Sequence, residues 1–196
     1  MTMVAALAQH LHNTPPAKGK VVLAFQPAEE TGQGAGWYVK DEKFQAIQPD
    51  YAFALHNLPG FERHQIVTSP GGFASASKGM IVHLKGKTSH AAEPENGNNP
   101  APAVAALLQK FIDLPKSDAF KNFTLLTIIH VKLGEVAFGT SAGDAVVMAT
   151  LRSYRNDDME LLSSRAVEIA KDIAQKAKLE ISIDWQEEFY ATVNSQ

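Results

Sequence analysis

The sequence lacks cysteine altogether, which excludes a disulfide framework, a thiolate zinc site and a cysteine nucleophile. It also lacks a basic excess, since 18 lysine and arginine residues face 21 aspartate and glutamate residues for a net charge of −3. No apolar run is long enough to span a bilayer, and the apolar start lacks the basic segment and cleavage site of a signal peptide. We therefore expect no nucleic-acid partner, no membrane partner and a cytoplasmic location.

An apolar content of 45% is sufficient for packed cores, and 196 residues suit one large domain or two small ones. A turn-rich stretch at residues 69–72 predicts a domain boundary. We predict one domain over 1–70, a second over 71–187 and a returning segment of the first over 188–196. An apolar helix starts at Met1 without a cap and an apolar run stops at Val193, so we expect both ends to be cut.

Two adjacent glutamates, Glu29 and Glu30, follow a predicted buried strand at Val21–Phe25 and a proline. Adjacent carboxylates repel each other unless a cation or hydrogen-bond donor lies nearby. At the edge of an α/β sheet, one carboxylate can bind a metal while its neighbour moves protons. The alternative is a solvated turn with two surface glutamates.

A second short apolar run, Tyr51–Leu55, ends at His56. If the helix Trp37–Phe44 connects the two runs, they form one βαβ unit. Both glutamates and His56 would then converge at one sheet edge, and this donor set suits a zinc-type ion. A purely structural histidine at a strand end is the alternative.

The second half of the chain predicts the order βαββαβ, which is the ferredoxin-like arrangement. The polar run 156–160 is predicted to cap the second helix. RNA-recognition modules share this topology, but the central strands here carry aliphatic side chains instead of stacking aromatics. A dimerisation module is a stronger alternative, because such a sheet leaves an edge strand free. The predicted strands are 78–85, 123–132, 144–155 and 181–185, and the helices start at 100 and 156.

A polar loop follows the first of these strands and carries His90 among small residues. A histidine in a loop has no structural role in a packed core, and its simplest interpretation is an exposed, inactive side chain. Loops nevertheless carry a disproportionate share of functional residues, so His90 is a candidate for chemistry.

Three ordered motifs, Phe25–Glu30, Ala54–Asn57 and Gly86–Ala92, resemble those of the M20 metallopeptidases. The most similar branch is the amidohydrolases that act on N-acyl amino acids. The resemblance implies an α/β catalytic domain that binds two divalent ions, namely Zn, Mn, Co or Ni. It also implies an inserted ferredoxin-like lid that mediates formation of a homodimer.

The resemblance implies a role for four residues. Glu29 matches the general base that activates a water molecule. Glu30 and His56 match metal ligands. His90 matches the lid histidine that polarises the scissile carbonyl, commonly across the dimer.

The resemblance also places Asn57 and Arg152 at substrate-binding positions, although for Arg152 we slightly favour a surface arginine on a strand. One metal motif is expected before Met1 and a last ligand histidine beyond Gln196, so both are missing from this sequence. The branch commonly has an asparagine near Gly139, which this chain lacks. Substrate contact at that loop is therefore open.

The sequence thus predicts a fragment, or a naturally shortened product, of an M20-type amidohydrolase that cleaves amide bonds in N-acyl amino acids or small peptides. With only two evident ligands, we expect metal binding in this chain to be weak or absent and the chain alone to be inactive. The alternative is a non-catalytic self-association module that retains the lid fold.

Overall fold

The structure, a computed structural model, describes residues 1–195. By its internal contacts the chain divides into two compact units, Met1–Leu55 and His56–Gln196. The first unit has little regular structure besides three helices. These are α1 (Thr2–Asn13), α2 (Gln33–Lys40) and α3 (Glu42–Gln45).

The described residues of the second unit form eight strands and two long helices. The described chain therefore mixes helices and strands, as the predicted α/β class requires. The elements are β1 (Gly71–Ala74), β2 (Ala76–Lys85), β3 (Ser89–His90), α4 (Ala101–Asp113), β4 (Thr124–Leu133), β5 (Thr140–Ser141), β6 (Asp144–Ser153), α5 (Asn156–Lys176), β7 (Glu180–Phe189) and β8 (Thr192–Asn194).

Strands β4, β6, β2 and β7 form, in that order, one antiparallel sheet. Helix α4 connects β2 to β4 and α5 connects β6 to β7, which is the predicted ferredoxin-like topology. We call the sheet with its two helices and connecting loops the lid. Alternate side chains of β2, such as Val82 and Leu84, pack with Phe111 and Leu162 of the helices, and all four are fully buried. This period of two explains why the sequence pattern was sufficient to predict the lid.

Two short ladders accompany the main sheet. Strand β3 pairs with β5, so that His90 lies opposite Thr140. Strand β1 pairs with β8 at the base of the lid. The first of these ladders positions the candidate catalytic histidine.

The predicted strands Val21–Phe25 and Tyr51–Leu55 do not form. Both segments lie outside any helix or strand, and Phe53 remains 92% exposed. A strand is stabilised by hydrogen bonds to a neighbour and by burial of its side chains, and these two segments have neither. The prediction of one βαβ unit is therefore wrong for the described residues.

The predicted crossover helix over Trp37–Phe44 is divided in two at Asp41. The backbone of Asp41 is extended, and its carboxylate accepts a hydrogen bond from the N–H of Lys43 at 2.8 Å. This short-range cap ends α2 and starts α3, because aspartate competes with the helical hydrogen-bond pattern.

The predicted cap of α5 by the run 156–160 is also wrong. The residue before the helix is Arg155, whose side chain makes no capping hydrogen bond, and within the first turn Asp157 accepts from the N–H of Asp158 at 3.1 Å. The Asn156 side chain instead accepts from Ala191 N–H at 2.7 Å. The buried Asp158 carboxylate accepts from Lys121 and Asn122 N–H at 3.1 and 3.0 Å, so tertiary contacts outcompete the local cap.

Strand β1 begins at Gly71, the residue at which the sequence predicts the second domain to begin. The contact boundary lies earlier, between Leu55 and His56. The domain limits drawn from the sequence therefore stay a prediction. Within residues 1–195, no helix has both the length and the apolar character that crossing a bilayer requires.

Candidate active site

Glu29 and Glu30 form a single 3₁₀ turn with Thr31. The Thr31 hydroxyl donates to the carbonyl of Ala28 at 3.2 Å, and the N–H of Gly32 donates to the carbonyl of Glu29 at 2.9 Å. The turn is held by its own backbone, and both carboxylates are exposed.

Ala28 precedes this turn with φ of 51° and ψ of 44°, in the left-handed region. For a residue with a Cβ, this conformation costs about 1–2 kcal/mol. Strained residues of this kind cluster at functional sites, so the strain supports a functional role for the glutamate pair. A Cβ on Gly34 of α2 would overlap the carbonyl oxygen of Pro27, so this glycine allows the strained turn to pack against the helix.

A cavity of about 360 Å³ lies beside the turn. Its walls are mostly apolar, and Pro27, two residues before the turn, and Trp37 of α2 are part of its lining. Asp41 and Lys43 add charged groups to the same wall. Neither Glu29 nor Glu30 is part of this lining.

His56 and Asn57 lie in an extended segment outside any helix or strand, and both side chains are exposed. Glu29 and Glu30 belong to the first compact unit, whereas His56 belongs to the second. Within the described part of the chain, no group of three histidine, aspartate or glutamate side chains lies close enough to hold a metal ion. The donor types suit a zinc-type ion, but their number does not complete a coordination shell. The sheet edge at which these residues were predicted to converge does not form, and the metal-ligand roles of Glu30 and His56 stay a prediction.

His90 lies in β3 with an exposed side chain. Its Nδ1 accepts a hydrogen bond from the backbone N–H of Ala92 at 3.1 Å. In a neutral imidazole the nitrogen that accepts cannot carry the proton, so the proton resides on Nε2. The exposed His90 side chain therefore carries its donor on Nε2, and an N–H donor is the group that a developing oxyanion needs.

Backbone hydrogen bonds fix the His90 loop to its neighbours. The N–H of Ala91 donates to the carbonyl of Gly139 at 3.0 Å, and the N–H of Gly86 donates to the carbonyl of Gly143 at 2.7 Å. A Cβ on Gly143 would overlap Thr88, so this glycine lets the two segments approach closely. The loop is therefore an ordered platform for His90.

Two asparagines also hold this platform, a role that the sequence analysis did not assign. Asn99 donates to the hydroxyl of Ser141 at 3.0 Å and accepts from the N–H of Ala101 at 2.8 Å. Asn98 donates to the carbonyl of Lys178 at 2.9 Å. The position of Asn99 directly before the proline that opens a helix is the signal that could have indicated its capping role.

Arg152 is exposed near one end of β6, and it pairs with Ser77 and Leu125 of the flanking strands. The His90 platform is attached at the other end, next to Asp144. Arg152 follows Asp144 by eight positions along the strand, which corresponds to about 27 Å at about 3.4 Å per residue. Within one lid, the structure does not bring Arg152 and His90 together.

The sequence profile of peptidase family M20/M25/M40 matches residues 1–195. The N-acetyldiaminopimelate deacetylase of Exiguobacterium sibiricum is 29% identical over 182 residues, which cover 92% of this chain and 49% of that protein. The protein of the same name from Shouchella clausii is 29% identical over 198 residues, which cover 99% of this chain and 52% of that protein. The chain thus spans about half the length of the curated relatives it matches.

A solved structure has the same fold. The YxeP protein of Bacillus subtilis, described as a dinuclear metal-binding peptidase from the M20 family, superposes with a TM-score of 0.63. The two sequences are 18% identical, and the match covers 87% of this chain and 42% of the other. At this identity the similarity shows the fold alone.

Proposed function

Because the chain belongs to peptidase family M20/M25/M40, we propose that it contributes catalytic groups to the metal-dependent hydrolysis of amide bonds in N-acyl amino acids or related small peptides. The observation that carries this proposal is the orientation of His90. Its Nδ1 accepts from Ala92 N–H, which leaves Nε2–H as a fixed donor for a carbonyl oxygen.

In the proposed reaction, Glu29 accepts a proton from the attacking water and later returns it to the leaving amine. His90 donates a hydrogen bond to the carbonyl oxygen as negative charge develops there. Glu30 and His56 are proposed as ligands of a divalent ion, which lowers the pKa of a water molecule when it is bound. The described residues bring fewer than three such ligands together.

The substrate class is proposed from the same family relationship. Two relatives are named as deacetylases of an N-acetylated diamino acid, so an N-acyl amino acid is the class to test first. Asn57 and Arg152 remain proposed substrate contacts. Because Arg152 and the His90 platform lie at opposite ends of β6, Arg152 would have to contact the substrate at a site other than that of His90 in the same lid. A cytoplasmic location is also proposed, and fractionation of the source cells would test it.

The lid offers one edge for the proposed homodimer. Strand β4 is an edge of the sheet, and its side chains Leu125 and Ile129 are 39% and 60% exposed. The opposite edge, β7, is protected, since it carries four acidic side chains and Glu187 has a positive φ of 51°. Acidic charges oppose edge pairing, whereas β4 carries exposed aliphatic side chains, so β4 is the edge we propose to associate.

The experiment replaces the corresponding half of the Exiguobacterium sibiricum relative with residues 1–195 of this chain. Hydrolysis of N-acetyl amino acids by this chimaera, with the intact relative as positive control, is the expected result. Glu29→Gln should keep the bound metal and lower kcat by about 10²–10⁴-fold. A folded, metal-loaded chimaera without amidase activity would contradict the proposal. Self-association without metal binding would favour the alternative of a non-catalytic module.

A further inference from the structure

Helix α5 ends in a turn that leaves backbone carbonyls available to donors from elsewhere in the lid. Lys178 follows the helix with φ of 53°, in the left-handed region where glycine is the usual residue. The N–H of Lys178 donates to the carbonyl of Gln175 at 3.1 Å, and the N–H of Leu179 donates to that of Ala174 at 2.9 Å. These two bonds form a Schellman motif, which does not use the carbonyls of Ala177 and Lys178.

One side chain of the His90 platform donates to both of these carbonyls. The Nδ2 atom of Asn98 lies 3.2 Å from the carbonyl oxygen of Ala177 and 2.9 Å from that of Lys178. An amide nitrogen carries two N–H donors, so one asparagine can serve both acceptors at once. These bonds connect positions 80 residues apart in the sequence, and they join the platform to the end of α5.

The backbone of Asn98 is bonded to the segment that leads to His90. The N–H of Asn98 donates to the carbonyl of Lys87 at 2.8 Å, and the carbonyl of Asn98 accepts from the N–H of Lys87 at 3.1 Å. Lys87 precedes His90 by three residues. A Cβ on Gly97 would lie 2.7 Å from the hydroxyl oxygen of Ser89, so this glycine also packs against the segment. Asn98 therefore contacts α5 with its side chain and the support of His90 with its backbone.

Close packing connects the turn after α5 to the platform. A Cβ on Gly86 would overlap the carbonyl oxygen of Asn98 and would lie 2.8 Å from the side chain of Leu179. Leu179 is buried, and the last turns of α5 are buried through Ala170 and Ala174. The end of α5 is thus part of the packed core of the lid. A functional side chain is placed more precisely when it is fixed to such an element than when a loop alone holds it.

Resting on the proposed role of His90 as donor to the oxyanion, we propose that Asn98 is a positioning residue for His90. The hydrogen bonds that the platform makes through Gly86, Ala91 and Asn99 lead to residues 139–143, which belong to the connection between β4 and β6. The amide of Asn98 leads instead to α5. It fixes the place of the His90 donor relative to the core of the lid. Without this amide, the platform and the 139–143 connection can shift together.

The test replaces Asn98 by aspartate, which keeps the shape of the side chain and removes its donors. An ionised carboxylate only accepts, so it would face two carbonyl oxygens. In the 196-residue chain near pH 6.5, hydrogen exchange of the Ala91 amide should become at least about 2- to 13-fold faster, the factor that one hydrogen bond contributes. The buried core amide of Val82 should keep its rate. Below the ordinary aspartate pKa of about 3.9, the protonated carboxyl group donates again, and the difference from the unchanged chain at the same pH should shrink.

Asn99→Asp is the matched control, because the neighbouring amide has the opposite role. Its Oδ1 accepts from the N–H of Ala101, and its Nδ2 donates to the hydroxyl of Ser141, which can turn and donate to a carboxylate instead. The exchange rate of the Ala91 amide should therefore stay the same in Asn99→Asp. Asn98→Ala removes the donors without adding charge, and it serves as the second variant.

In the chimaera, Asn98→Ala should lower kcat by up to about 10²-fold with KM unchanged, because a displaced donor is missed in the transition state. Unchanged exchange of the Ala91 amide in both Asn98 variants would overturn the proposal. Faster exchange at Leu179 alone would also overturn it, since Asn98 would then support only the turn after α5. An inactive chimaera in which Asn98 still controls Ala91 exchange would sink the amidase function alone. An active chimaera whose kcat is insensitive to Asn98→Ala would sink only the role of Asn98.

Discussion

The Ala92 N–H should control which nitrogen of His90 carries the proton, and Ala92→Pro tests this directly. Proline deletes the backbone N–H that donates to His90 Nδ1 at 3.1 Å. A hydrogen bond of this type contributes about 0.5–1.5 kcal/mol, so it shifts the ratio of the two neutral tautomers by about 2- to 13-fold. We expect the Nε2–H form to dominate in the unchanged chain and to decline by that factor in Ala92→Pro.

Long-range ¹H–¹⁵N spectra of the imidazole rings at pH 8.5 measure the ratio, because histidine side chains are ordinarily neutral there. Ala92→Gly is the matched control, since it removes the side chain and keeps the N–H. The Ala91 amide reports whether the hydrogen bond to Gly139 survives in each variant. An unchanged tautomer ratio in a folded Ala92→Pro chain would refute the reasoning, as would a dominant Nδ1–H form in the unchanged chain.

The change in tautomer ratio also limits how far Ala92→Pro can lower the rate of catalysis. In the chimaera, Ala92→Pro can lower kcat by no more than the loss of the competent tautomer, about 13-fold at most. His90→Ala removes the donor itself and should cost about 10²–10³-fold. If Ala92→Pro were as damaging as His90→Ala, displacement of the whole loop would be the cause, and the Ala91 amide would show it.

Three further predictions follow from the described residues. The 196-residue chain should bind zinc weakly, and Glu30→Gln should change that little, so a stoichiometric ion retained in dialysis against a mild chelator would contradict the ligand count. Ile129→Lys on the β4 edge should weaken self-association at least tenfold in light scattering, whereas Ser182→Lys on β7 should leave it unchanged. The Arg155 guanidinium hydrogen-bonds Asp157 and lowers its pKa from 3.8, so this carboxylate adds stability above pH 3.8 that is lost as the pH falls through the lowered value. Thermal unfolding from pH 7 to pH 2.5 should show a smaller decline for Asp157→Asn.

The ferredoxin-like topology of the lid could be predicted from the sequence because each of its elements is specified by a local pattern of apolar residues. Alternation in β2 and β6 and helical stripes in α4 and α5 each bury one face, and these faces complete one another within the same unit. No distant segment is needed to cover them. The order of elements then left few topologies to consider.

The segments at Val21–Phe25 and Tyr51–Leu55 carry an equally apolar pattern, and yet they form no strand. A parallel strand depends on partners and on burial of both faces, which pattern alone cannot supply. The motifs that contain Glu29 and His56 could still be found, because a motif is a property of the sequence and does not require the sheet. The convergence of their side chains is a property of the sheet, and it could not be predicted with confidence from spacing.

The capping of α5 shows a second limit of local reasoning. Asn156 and Asp158 are good cap residues by type, but one bonds to Ala191 and the other to the loop at Lys121. Side chains that satisfy backbone groups elsewhere gain as much as they would in a cap. Sequence spacing does not distinguish the two outcomes, because both use the same donors and acceptors.

The way in which His90 is held determines which side chains around it can be replaced. Apart from Asn98 and Asn99, the platform is held by backbone groups, such as the N–H of Ala91 and Ala92 and the carbonyl of Gly139. Backbone groups persist when side chains change, provided that positions such as Gly143 keep no Cβ. Phe138 can therefore be replaced without disturbing the His90 tautomer. We expect the imidazole spectrum of His90 to be unchanged in Phe138→Ser, and a shift of its tautomer ratio would contradict this support by backbone groups.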